Sequence, residues 1–229
     1  MIVWTTDPDI HPPAGGTAGT IESMRLALHS VIALLAAAAL AIGAGGGAAQ
    51  AQEPTRAEAD AMQTKIARVA AAAETPRPAN ARPLRTTFTE REINAYLALD
   101  GPEFLPPGIA MPRVQLGDDG RVRARAIVDL DGVRRSRERS VFDPLAYLTG
   151  SVEVIAIGSV EGSDGEGLIR YESATVGGVS VPKTVAQELL RFYTRTEERP
   201  RGFAFDEPFV LPAGLRAVSA ERGAVTVMQ

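Results

Sequence analysis

Two hydrophobic patterns share this chain. A single apolar run, LALHSVIALLAAAALAIGAGGGAAQAQ, fills residues 26 to 52, and beyond it apolar residues recur only at helical or alternating spacing. Residues 53 to 74 are rich in Ala, Glu, Arg and Gln and predict a helix with a thin stripe of Met62, Ile66 and Val69. This helix either stands free as a leader or packs on the folded domain. Residues 75 to 83, TPRPANARP, read as a Pro-rich linker. A strand over 84 to 88 ends at Phe88. Thr89 to Glu92 then spell a capping box in front of the helix EREINAYLAL, whose apolar face is Ile93, Tyr96 and Leu97 and which Asp100-Gly101-Pro102 stops.

Alternation dominates the remainder. After the Pro-rich loop PEFLPPGIAMP, strands are predicted at 113 to 116, 121 to 130, 152 to 160, 168 to 176, 179 to 181, 203 to 211, 215 to 220 and 224 to 228. Asp118-Asp119-Gly120 and Glu221-Arg222-Gly223 read as hairpin turns. In the second strand Val122, Ala124, Ala126 and Val128 share one face, and Arg121, Arg123 and Arg125 the other, predicting a basic outer surface. FDPLAYLTG reads as a short helix or turn. Pro182 opens a second amphipathic helix with Val185, Leu189, Phe192 and Tyr193 as its apolar positions. The expected class is α+β: a curved antiparallel sheet of hairpins packed on amphipathic helices, one domain over 84 to 229.

The first apolar run changes the functional picture. Met24-Arg25, the run itself and Ala49-Gln50-Ala51 have the form of a secretory signal peptide over 24 to 51, with cleavage before Gln52. Residues 1 to 23 carry Asp7, Asp9 and Glu22 with no Lys or Arg, so the reading starts translation at Met24 and leaves 1 to 23 out of the fold. The alternative is a retained signal anchor, since the run is long enough to span a bilayer. Either way the folded part is expected in the periplasm or outside the cell.

Composition then removes whole classes of chemistry. The chain has no Cys; both His (His11 and His29) and the only Trp (Trp4) precede the cleavage point. The mature part thus lacks thiol and imidazole groups, which excludes Ser-His-Asp triads, Cys nucleophiles and His or Cys zinc sites. It keeps all but one of the 24 basic and all but three of the 28 acidic residues and is close to neutral, so nucleic-acid binding is not expected. Three weaker patterns remain. Ser180-Val-Pro-Lys183 has an S-x-x-K form without the companion motifs of that chemistry. Asp129-Leu-Asp131-Gly132 resembles the start of a calcium loop, but the twelfth position is Ser140. Asp206-Glu207, Glu197-Glu198 and Glu161 with Asp164 are carboxylate pairs available to a hydrolase. All three are read as ordinary structure, so no enzyme activity and no cofactor or metal are expected.

One arrangement resembles a known group. TEREINAYL (Thr89 to Leu97), hairpins with D-G turns, GGVSVP (Gly177 to Pro182) entering a helix, and a closing hairpin over Leu211 to Val227 resemble small bacterial envelope proteins related to the tubular lipid-binding superfamily. The resemblance implies a long helix gripped by a curved sheet, an apolar groove and lipid binding without catalysis. It differs from lipid-anchored members in having no anchor cysteine. The expected groove residues are Phe88, Ile93, Tyr96, Leu97, Phe142, Leu145, Leu189 and Phe192. Arg134, Arg135, Arg137 and Arg139 are the expected contacts to headgroups or a membrane surface. The alternative is an envelope scaffold or assembly factor that docks a protein partner through helix 53 to 74.

Overall fold

The computed structural model describes residues 53 to 229 except 76, 77, 79, 80, 106, 107, 119, 130, 132 to 149 and 196 to 198, and except the side chains of Phe192 and Tyr193. Among the described residues there are three α-helices, α1 (Arg56–Glu74), α2 (Glu90–Leu99) and α3 (Lys183–Tyr193). Nine described strands form one antiparallel sheet: β1 (Arg85–Thr89), β2 (Ile109–Leu116), β3 (Arg121–Asp129), β4 (Ser151–Ser163), β5 (Glu166–Val176), β6 (Val179–Ser180), β7 (Phe209–Val210), β8 (Ala217–Glu221) and β9 (Ala224–Met228). The class is α+β with a curled sheet.

The long strand β4 organises the sheet. Along one edge it pairs first with β3 and then, at Glu161 and Gly162, with β8; along the other it pairs with β5. The β2–β3 and β8–β9 hairpins therefore meet end to end. Gly120 N–H donates to Ala220 O at 3.1 Å, and Gly223 N–H to Leu116 O at 3.0 Å. β1 continues the sheet beyond β9. Val122, Ala124, Ala156, Val160 and Ile169 are all buried on this sheet. Gly158 is required where β5 bulges: a Cβ there would lie 2.4 Å from Arg170 O. Gly158 thus lets the β4 and β5 backbones approach closely.

Helix α1 packs against α2 and β1. Ala59, Met62, Ile66, Val69 and Ala70 are buried and, Ala70 apart, join the same core cluster as Phe88, Ile93 and Tyr96. The three largest of these α1 side chains each contribute roughly 1.5–3 kcal/mol by burial. Polar contacts fix the orientation. Thr55 and Glu58 form a capping box, Arg56 clasps Asp100 with two bonds of 2.7 and 2.6 Å, and Lys65 Nζ meets Glu92 and the Thr87 carbonyl at 2.7 Å. The helix carries no strong apolar signal because its stripe is only one residue wide; these polar contacts complete its attachment.

Two regions differ from the sequence expectation. Phe203 to Leu211 is not a continuous strand. Asp206 sits at φ 59 and Pro208 has no N–H to give, so only Phe209 and Val210 pair with β5. The segment laces α3 to the sheet instead: Gln187 bonds both Phe205 N–H and Phe203 O, Thr194 Oγ1 accepts from Phe203 N–H, and Asp206 N–H donates to Ile169 O. Among the described side chains of α3 the buried ones are Ala186 and Leu190, while Val185 is 49% exposed and Leu189 is not buried. In this part of the helix the buried positions lie one residue on from Val185 and Leu189.

Candidate functional site

The site is built where helix cover of the sheet edge ends. β2 is an edge strand, and edge N–H and C=O groups need partners. Helix α2 supplies them with side chains. Asn94 Nδ2 donates to Val114 O and Oδ1 accepts from Val114 N–H, both at 2.7 Å; Glu90 accepts from Leu116 N–H at 2.7 Å. The third polar residue of the segment, Glu92, closes the capping box with Thr89 and pairs with Lys65. Burial would raise its pKa, but Lys65 and the Thr89 N–H and hydroxyl together hold it below the ordinary carboxylate value.

Past Asn94 the cover stops. α2 ends at Asp100, a short 3-10 turn spans Gly101–Glu103, and Phe104 stacks on Tyr96 with ring centroids 5.2 Å apart. Burial, with Asp100 and Glu103 nearby, raises the pKa of the Tyr96 phenol and keeps it neutral. A Cβ at Gly101 would sit 3.0 Å from Leu105 Cδ1, so Gly101 lets Leu105 fold back against the turn. The chain re-enters the sheet at Gly108, whose carbonyl accepts from Asp129 N–H at 2.7 Å. β2 then bulges between Ala110 and Arg113, with Met111 at φ 49. Bulges re-aim side chains and are common beside sites.

Between these walls lies a cavity of about 460 Å³. Leu97, Ala98, Pro102 and Leu105 form the helical side; Ile109, Ala110, Met111, Pro112 and Ile127 form the strand side. Among the described residues the only other lining residues are Arg113 and Arg125, which face each other as register partners across β2 and β3. Arg125 Nε meets Glu153 at 2.5 Å, whereas no described residue bonds to the half-buried Arg113. The volume lies within the roughly 300–1,000 Å³ of small-molecule clefts. A second concavity of about 740 Å³ beside the β4–β5 turn is lined by Glu161, Asp164, Glu166 and several glycines. Among the described residues no three His, Cys, Asp or Glu side chains come together as a metal site.

Of the expected groove residues, Leu97 lines this cavity. Phe88, Ile93 and Tyr96 lie in the closed core beneath it, 2%, 1% and 4% exposed, and Leu189 is on α3 away from it. Phe142, Leu145, Arg134, Arg135, Arg137 and Arg139 and the side chain of Phe192 fall outside the described residues, as does the whole segment 1 to 52. Of the lining residues that the sequence reading missed, Leu105, Ile109, Met111 and Arg113 belong to or adjoin the Pro-rich loop. Their signal was a loop carrying Phe, Leu, Ile and Met where solvated loops carry polar residues.

The remaining motifs resolve into structure. Lys183 is paired with Asp206, so its ammonium has a carboxylate partner and is not poised as a base beside Ser180. Asp129 accepts from Asp131 N–H at 3.0 Å and Asp131 from Gly150 N–H at 2.9 Å, closing the base of the β3–β4 connection. Glu161 pairs with Arg170 at 2.9 Å. The expected basic face of β3 is largely neutralised: Arg121 pairs with Glu172 and Arg125 with Glu153. Arg125 and Glu153 meet across the neighbouring strands β3 and β4, and Arg121 reaches over β4 to Glu172 on β5, as a solvated sheet face favours. No family model, no curated protein and no solved structure matches this chain.

Proposed function

We propose that this chain is a non-catalytic lipid-binding module of the cell envelope, exported by the segment 24 to 51 and related in build to tubular lipid-binding proteins. The observation that carries the reading is the groove between α2 and β2, where nine apolar residues and two arginines enclose about 460 Å³. A hydrocarbon chain seated there gains about 0.8 kcal/mol for each methylene removed from water. The curled sheet packed with helices supports the same reading, as does the pairing of the S-x-x-K lysine with a carboxylate.

The test is native mass spectrometry of the full chain with monolaurin, a neutral single-chain lipid, alongside Ala98→Trp, which fills the groove from the α2 wall. One-to-one binding by the parent and its loss in the variant, at an unchanged melting temperature, supports the module. Absence of binding to any chain probe, or equal binding by the variant, refutes it. Export is tested separately by sequencing the N-terminus of the protein recovered from the host envelope: a start at Gln52 is expected, and an intact segment 24 to 51 refutes cleavage.

A further inference from the structure

We infer that the groove selects an anionic single-chain amphiphile whose carboxylate or phosphate head is held between Arg113 and Arg125; this rests on the lipid-binding reading and names its ligand class. Three observations carry it. First, Arg113 and Arg125 are direct cross-strand partners, a like-charge juxtaposition that destabilises a sheet unless an anion offsets it. Second, among the described residues the charge is offset only once. Glu153 engages Arg125 at 2.5 Å and no described residue engages Arg113, a guanidinium at the wall of a cavity whose lining is apolar apart from these two arginines. Third, the β2 bulge, with Met111 at φ 49, sets Arg113 in register with Arg125 beside that cavity.

The chemistry of the head group is set by these three points. A guanidinium presents a planar fork of donors that matches carboxylate and phosphate oxygens, and it retains its charge at any working pH. Beside a low-dielectric cavity, an anionic head gains more from it than in water, while a cationic head is repelled by two arginines against one glutamate. The volume, toward the lower end of ligand clefts, suits one chain better than two. An arginine stem that only covered apolar surface would discriminate nothing by head charge, so head-group selectivity separates the two roles.

The experiment compares laurate, dodecyl phosphate, monolaurin and dodecyltrimethylammonium, probes that keep similar chains and vary the head, by calorimetric titration of the full chain. Laurate and dodecyl phosphate are expected to bind at least ten-fold more tightly than monolaurin, a difference of about 1.4 kcal/mol, and the cationic probe least. The ratio between the two anions shows whether a carboxylate or a phosphate head is preferred. Arg113→Met should erase the anion preference, read as a laurate-to-monolaurin affinity ratio that falls to about one. Glu153→Gln, by freeing Arg125, should tighten laurate several-fold with monolaurin unchanged. Equal binding of laurate and monolaurin by the parent, or a retained preference in Arg113→Met, overturns the inference while the lipid-binding reading stands. Failure of all four probes overturns both.

Discussion

Replacing Asn94 by Ala tests whether α2 is a clamp on the sheet edge or merely a neighbour of it. Its amide makes two bonds of 2.7 Å, one to each polar group of Val114, a residue that is itself only 3% exposed. A neutral hydrogen bond contributes about 1 kcal/mol net, and a buried group left without a partner costs about 1–3 kcal/mol. Asn94 is half-buried, so water recovers part of the loss. Together these terms place the destabilisation at roughly 2–4 kcal/mol. Urea unfolding should show a lower midpoint with an unchanged slope, because the area exposed on unfolding barely changes. Hydrogen exchange at the Val114 amide should accelerate far more than at Val122, which the variant does not touch. Asn94→Asp keeps the acceptor and loses the donor, and should fall between the parent and the alanine variant or below it, as the carboxylate faces the Val114 carbonyl. A loss under about 0.5 kcal/mol for Asn94→Ala, the level of an ordinary surface change, would refute the clamp.

Other consequences are as direct. Glu92 is held below its ordinary pKa, so its contribution is present above the unfolded carboxyl value, near pH 4, and is lost as pH falls through the lower folded value. Lys65→Met should flatten the acid limb of stability against pH, and an unaltered limb argues against the pairing. Gly202→Ala and Gly214→Ala form a matched pair at φ 65 and 63. Gly214 has open space and should lose about 1–2 kcal/mol from backbone strain alone, whereas a Cβ at Gly202 falls 2.2 Å from Arg191 O and should cost clearly more; equal melting temperatures would contradict the clash. Met62→Ala should cost about 2–5 kcal/mol, since Met62 is 1% exposed in the shared core, and a loss below about 1 kcal/mol would mean that α1 is dispensable.

The sequence made the strands and helices legible wherever one local rule sufficed. The capping box at Thr89 begins α2 at the predicted residue, and alternation in Val122, Ala124 and Ala126 gives β3 its orientation. It failed where backbone groups are satisfied by distant side chains. Phe203 to Leu211 alternates like a strand, yet Gln187 and Thr194 on or just after α3 take its hydrogen bonds. Ile109–Pro112 reads as loop because of Pro112 and the prolines before it, yet it opens β2. Of the expected groove residues Phe88 and Tyr96 are buried in the core, whereas the cavity lined by Leu97 is walled largely by aliphatic residues from a segment without periodicity. The polar letters of TEREINAYL were legible in part. The capping box already joins Glu92 to the Thr89 backbone, whereas its pair with Lys65 and the bonds of Glu90 and Asn94 to the β2 backbone come only from the fold.

The same geometry explains why the groove sits at this end of the sheet. α2 bonds to the β2 backbone at Val114 and Leu116, because Gly101-Pro102 ends the helix one turn beyond Tyr96. From Ile109 to Pro112 the edge therefore runs without a helix bonded to its backbone. A bare edge invites pairing with other chains, and this stretch carries the usual deterrents: a bulge, a proline with no N–H, and an arginine. Deterrents of backbone pairing need not be apolar. Leu105, Ile109 and Met111, the last 70% exposed, nevertheless line that stretch. Exposed apolar surface beside an edge closed to strand addition is matched by a ligand that supplies hydrocarbon and asks for no backbone hydrogen bonds. On the proposed lipid-binding reading a single acyl chain would meet both conditions, and Arg113, which no described residue engages, would hold its head at the same wall.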